Sequence, residues 1–219
     1  MQPRLEKLEA GDTAEATGPK ARTRRLLLEH AGKLLEEGKM PSVAEVAQHA
    51  GVSRATAYRY FPTRSKLITA IVEHSLGPVR TMASALPDGR DRINELFAQT
   101  FPRFKEYETQ LRAALQLSLA DAAMERAGKL TEEPYRRGNR IGILSHAAMP
   151  LKPKLGQRGF QRLVHALSVV YGIESYVVLR DIWGLSDKEI QSTARWIADA
   201  LVDTALREGT TRSKRGKKS

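Results

Sequence analysis

"AGVSRATAYRYFPTRSKLI" occupies residues 50–68, and its punctuation decides how this part of the chain folds. Gly51 accepts a positive φ without steric penalty, so Ala50-Gly51 reads as a turn. Ser53 follows as an N-cap for a short helix from Arg54 to Tyr60, its hydroxyl placed to accept an otherwise orphaned backbone N–H. Pro62 then breaks the chain, and Thr63 caps a helix carrying Leu67, Ile68, Ile71 and Val72. Upstream, Ser42 caps another short helix that turns Val43, Val46 and Ala47 inward. Two short helices joined by a tight glycine turn make a helix-turn-helix. The second helix of such a unit enters the DNA major groove, about 12 Å wide, while the first braces it across the backbone.

The side chains of that second helix suit the task. Arg54 and Arg59 can donate paired hydrogen bonds to guanine or hold phosphate, and Thr56 can bond phosphate or touch a thymine methyl. Tyr58 and Tyr60 each present a flat apolar body with a hydroxyl, and Thr63 with Arg64 offers a second phosphate clamp at a helix N-terminus. Tyr58, Tyr60 and Phe61 also suit a core. The charge distribution favours nucleic acid: net charge is +11, with +6 over residues 20–80 and +5 over residues 209–219, a field that attracts polyanions.

Outward from this stretch the chain reads as all-α. Leu27, Leu28, Ala31, Leu34 and Leu35 recur at three- and four-residue steps and predict a helix from Arg22 to Glu37 that stops at Gly38. Ile93, Leu96, Phe97, Phe101 and Phe104 form one later stripe, with Pro102 as a candidate kink, and Leu111, Ala114, Leu115 and Leu119 form another. Residues 134–148 make a weaker helical segment, and "MPLKPKLG" after it reads as a loop with two prolines. Phe160, Leu163, Leu167, Tyr171 and Val178 line a penultimate helix. A last helix starting at Ser186 or Asp187 carries Ile190, Ala194, Ile197 and Leu201. The expected organisation is a disordered tail over 1–19, a DNA-binding domain over 20–66, a helical domain over 67–208 and a mobile basic tail over 209–219.

Several chemistries find no support. The chain has no cysteine, which removes disulfides and thiolate zinc sites, and its five histidines show no metal-ligand spacing. The hydrolase, zincin, P-loop and dinucleotide-binding motifs are missing, and Glu132-Glu133 reads as a solvated surface. No catalytic residue, metal or cofactor is expected. No apolar run is long enough to span a membrane and the first twenty residues lack a secretory core, so a cytoplasmic protein with no membrane partner is expected.

"VAEVAQHAGVSRATAYRYFPTRSKLI" resembles the DNA-binding signature of the TetR family of transcriptional repressors. The resemblance rests on Val46-Ala47, on Ala50 to Ser53, on Thr56, Tyr58 and Phe61 in their spacing, and on the basic residue at 64. "RTRRLLLEHAGKLLEEG" resembles the family's first helix, and "LRDIWGLSDKEI" resembles the turn between its last two. Ala57 and Arg64 depart from the usual larger apolar residue and Lys. The resemblance implies an N-terminal three-helix helix-turn-helix domain and a C-terminal ligand-binding and dimerisation domain. It implies that Arg54, Ala55, Thr56 and Arg59 face bases, and that Tyr58, Thr63 and Arg64 hold phosphate. Ser42, Ser53 and Tyr60 are expected among the DNA-binding residues, and Arg22 and Arg24, with Lys20 and Arg25, either touch the adjoining backbone or minor groove or form a solvated arm.

One short helix reads only a few base pairs, so a palindromic double-stranded operator calls for a homodimer with recognition helices about 34–36 Å apart. The last two helices suit the pairing, through Leu163, Leu167, Gly172, Ile197 and Leu201; in an ordinary core the same stripes pack within one subunit. The middle helices suit a small-molecule effector. The resemblance implies an effector pocket there, with Phe97, Phe101, Phe104, Tyr107, Tyr135 and Tyr171 as aromatic lining and Arg112, Asn139 and His146 as polar anchors; taken singly, each of these also reads as core filler. His165 reads as a hydrogen-bonded core histidine. The competing reading is a nonspecific, nucleoid-type DNA-binding protein.

Overall fold

The computed structural model describes residues 18–82 and 84–216, without the side chains of Asn139 and 211–216. The tail expected over 1–19 lies almost wholly outside the described residues. No strand occurs among them, and the chain is all-α. It divides into two compact units between Ile71 and Val72, inside one continuous helix.

The first unit holds α1 (Pro19–Glu36), α2 (Val43–His49), α3 (Arg54–Tyr60) and the start of α4 (Arg64–Leu76). Its core is the predicted stripe of α1 packed with Val43, Val46, Ala47, Ala57, Phe61, Leu67 and Ile68, all buried. Ala57 is fully buried, so its small side chain sets how closely α3 approaches that core.

The second unit begins with the end of α4 and a 3₁₀ turn at Gly77–Thr81. α5 (Gly89–Glu106), α6 (Glu108–Arg126), α7 (Asn139–Ala148), α8 (Lys152–Val170), the short α9 (Ile173–Val177) and α10 (Asp187–Gly216) follow. A π-helical turn, Val178–Ile182, links the last two. α8 and α10 share the most extensive contact, and α5 packs against both α7 and α10.

Three expectations need correction. The "MPLKPKLG" segment is not a loop: Met149–Leu151 is a 3₁₀ turn and α8 starts at Lys152. Both prolines sit in first turns, where a missing N–H costs nothing, and the real break is Gly156, at φ 66° and ψ 173°. α10 runs on to Gly216 and takes in most of the expected tail. His165 is exposed on α8 rather than buried. Among the described residues no single helix is long and apolar enough to cross a membrane.

Candidate nucleic-acid interface

Three side-chain caps set the geometry of the first unit. Ser42 and Glu45 form a reciprocal capping box at α2: the Glu45 N–H donates to Ser42 Oγ at 3.2 Å, and the Ser42 N–H donates to Glu45 Oε2 at 2.7 Å. That box holds the Glu45 carboxyl below its ordinary range, first through the Ser42 backbone bond and then through the Ser42 side chain. α2 ends at Gly51, whose φ of +67° reverses the chain, and the Val52 N–H bonds back to the Ala47 carbonyl at 3.0 Å. This is the Schellman closure that a residue with a Cβ resists. Ser53 then caps α3, accepting the Thr56 N–H at 3.1 Å and donating to Thr56 Oγ1 at 2.9 Å. Thr63 Oγ1 accepts the Lys66 N–H at 3.2 Å and caps α4.

With Ala57 anchored inward, α3 turns Arg54, Ala55, Tyr58 and Arg59 outward on one face. Thr56 and Tyr60 are half-buried at its edges. Arg59 lies over the Tyr60 ring, 5.8 Å from its centroid. Arg64 is exposed in the first turn of α4, and Arg22 and Arg24 are exposed on α1. Arg24 also covers Phe61, 5.9 Å from the ring centroid. No carboxylate among the described residues pairs with Arg22, Arg54, Arg59 or Arg64. Cations without counter-ions among the described residues, beside two capped helix N-termini, make a surface whose charge suits an external polyanion.

The family described as "Bacterial regulatory proteins, tetR family" matches residues 27–71, which are these elements. Over this stretch the chain is similar to TetR-family regulators. The HTH-type transcriptional repressor LfrR of Mycolicibacterium smegmatis is 36% identical over 58 residues, 26% of this chain. The chain spans 31% of that relative's length. The crystal structure of a TetR transcriptional regulator from Rhodococcus sp. RHA1 is 22% identical with a TM-score of 0.49, over 83% of this chain and 96% of that one.

The second unit places the other expected residues unevenly. Phe104, Tyr135 and Tyr171 line a cavity of about 70 Å³. Phe97 and Phe101 stack at 5.6 Å, with Phe97 against Tyr171 at 5.3 Å. The Thr100 hydroxyl donates to the Leu96 carbonyl at 2.7 Å, so the Tyr171 hydroxyl, 2.8 Å away, donates to Thr100. Burial pushes the Tyr171 and Tyr135 hydroxyls each up to about 12.

The polar anchors go elsewhere. Arg112 clamps Asp181 through two bonds of 2.7 and 2.6 Å and also bonds Glu108. The Arg112 hydrogen bonds are the main cause of Asp181's lowered proton affinity. Tyr107 lies under the Arg103 guanidinium, 5.0 Å from its centroid. His146 is exposed on α7, and the side chain of Asn139 lies outside the described residues.

The residues expected at a dimer face divide in the same way. Leu163, Leu167 and Gly172 are buried within their own subunit, whereas Ile197 and Leu201 are half-exposed. Gly172 is bare because a Cβ there would lie 2.5 Å from Glu174 Oε2 and 2.7 Å from Arg140 Nη1. Sequence reasoning missed Val169 and Trp196, which are 74% and 72% exposed on α8 and α10. It also missed Arg137, Arg140 and Glu174, whose only signal is a basic run before α7 and a lone acid opening α9.

Proposed function

We propose that this chain is a transcriptional regulator, in the repressing mode: a cytoplasmic homodimer that holds a palindromic operator and leaves it when a small molecule binds. The observation that carries the reading is the exposed face of α3. There Arg54, Ala55, Tyr58 and Arg59 stand together without a counter-ion among the described residues, beside Arg64 at the capped start of α4. Arg54 and Arg59 supply base and phosphate contacts, and Tyr58, Thr63 and Arg64 fix the backbone.

Val169 and Trp196 support dimerisation through α8 and α10, since exposed apolar side chains of that size mark interaction surfaces. Release follows if ligand shifts α4, which carries Arg64 in its first turn and lines the inner cavity with Val72 and Leu76 at its end. A ligand does this only by favouring one conformer, with a coupling of about 1–3 kcal/mol.

Genomic footprinting of the purified protein tests the reading. A specific regulator protects a few palindromic sites and keeps them against bulk competitor DNA. A nucleoid-type protein is swept off by competitor and by salt alike, and that outcome would replace the operator with general DNA compaction.

A further inference from the structure

The inner cavity of the second unit is walled by apolar side chains such as Leu76, Phe104, Leu111 and Ile143, and its charged lining is Arg137 and Arg140, with no Asp or Glu among the described residues. At about 70 Å³ it is closed to a ligand as it stands, because an apolar cavity that accepts benzene measures about 150 Å³. A second, open cleft of about 380 Å³ adjoins it and shares Tyr135, Arg137 and Arg140 as walls. The two guanidinium groups are therefore the partition. The cleft alone lies within the range of small-molecule sites, about 300–1,000 Å³, and joining the inner cavity to it adds an apolar extension.

Glu174 holds the partition shut. Arg140 Nη2 donates to both Glu174 oxygens at 2.7 Å, Arg140 Nη1 donates to the Ser168 carbonyl at 2.9 Å, and Arg137 donates to Glu174 Oε1. Arg137 Nε is steadied by Ser118 Oγ at 3.1 Å. Burial opposes ionisation of Glu174, but the Arg140 hydrogen bonds and charge, with Arg137, outweigh it and hold the carboxyl below its ordinary range. The absent side chain at Gly172 makes room for this contact. Glu174 is also one-third exposed on the cleft side, so it can swing into water while another anion takes its bonds.

We propose that the effector is a monocarboxylate with an apolar body, its carboxylate replacing Glu174 on Arg140 and Arg137 and its body entering the inner cavity. This rests on the reading of the second unit as an effector domain. Exchange of one carboxylate for another leaves the cluster's charge unchanged. A cationic head placed on Arg140 and Arg137 meets two like charges, and a neutral one that displaces Glu174 leaves two half-buried guanidinium groups without their carboxylate.

Calorimetry on the full-length protein, without DNA, tests it with octanoate, benzoate and 4-phenylbutyrate, against octanamide and octylamine as matched neutral and cationic probes. At least one carboxylate is expected to bind tenfold or more tighter than octanamide and octylamine. Arg140→Gln is expected to lose that preference with its circular dichroism unchanged. Glu174→Gln, which frees the guanidinium groups, is expected to tighten carboxylate binding about tenfold, and it decides the matter if Arg140→Gln fails to fold. Silence from all three acids, equal binding of octanamide, or a Glu174→Gln protein with unchanged affinity overturns the proposal. Operator binding measured in parallel keeps the two readings apart: specific DNA binding without carboxylate binding sinks only this inference, and carboxylate binding without DNA binding sinks only the regulator.

Discussion

The guanidinium of Arg103 reaches the end of α4, where Nε donates to the Ser75 carbonyl at 2.6 Å and Nη2 to the His74 carbonyl at 3.2 Å. It satisfies acceptors that every helix leaves open at its C-terminus, and the charge sits where the helix dipole is negative. Gly77 makes the approach possible: its φ is +52°, and a Cβ there would stand 2.7 Å from Arg103 Nη2. Gly77→Ala therefore strains the backbone by about 1–2 kcal/mol and dislodges the arginine. Arg103→Ala leaves the carbonyls unsatisfied, at about 1–3 kcal/mol. The double variant is expected to cost less than the sum, because the glycine serves the arginine. Urea denaturation of the three variants measures it, and strict additivity would show that the two positions act separately.

His30 Nδ1 lies 2.7 Å from His49 Nδ1, with the rings edge to face. One ring donates and the other accepts, so the bond survives at most one added proton. Proton affinity of His30 falls below its ordinary 6.5, first by desolvation and then by the charges of His49 and Lys33, with Glu29 opposing. The unfolded chain then binds more protons than the folded one just below pH 6.5, so this contribution is intact above that pH and is lost as pH falls through it. NMR titration is expected to place His30 below 6.5 and to move it upward in His49→Gln. An unmoved His30 would leave burial and the Lys33 charge as the causes.

How much of this was legible follows from how local each signal is. Ser42, Gly51 and Ser53 declare the helix-turn-helix within a few residues, and each cap stands where the sequence puts it. Pro150 and Pro153 misled because a proline starts a helix as readily as it stops one, and only the neighbouring backbone decides which. Leu163 and Leu167 share an apolar stripe with no mark to say whether their own subunit or a second copy covers it. The structure gives them to their own core. Arg112 and Arg140 have equal claims as ligand anchors in sequence. Only the fold brings Asp181 to one and the cavity to the other.

In the proposed reading Arg54 and Arg64 make two different kinds of DNA contact. Arg54 is exposed in the first turn of α3, which Ser53 and Thr56 fix by their mutual bonds. Arg54→Ala is expected to cost about 1–3 kcal/mol at particular operator positions and to relax specificity there. Arg64→Ala is expected to weaken every sequence alike and to reduce the salt slope by about 1. Titrations across single-base operator variants at two or more salt concentrations read both effects. Identical profiles for the two variants would show that both arginines serve the backbone.

Trp196 is 72% exposed in the middle of α10, the helix with the most extensive packing against α8. A tryptophan left in water forgoes about 1.5–3 kcal/mol of burial free energy available to a large apolar side chain, and Val169 on α8 repeats the situation at 74%. Trp196→Glu puts a charge where the proposed partner helix lies and is expected to shift sedimentation from a dimer toward the 24.4 kDa monomer. The same variant should lose operator affinity steeply, because one recognition helix alone gives only the weak binding of a half-site. Ile141→Glu is the matched control, since Ile141 is 66% exposed and stands on α7 rather than on α8 or α10. It should leave the dimer and its DNA binding intact. If Ile141→Glu dissociates the protein and Trp196→Glu does not, the pairing surface belongs to α7, and the recognition helices must be spaced by a different arrangement.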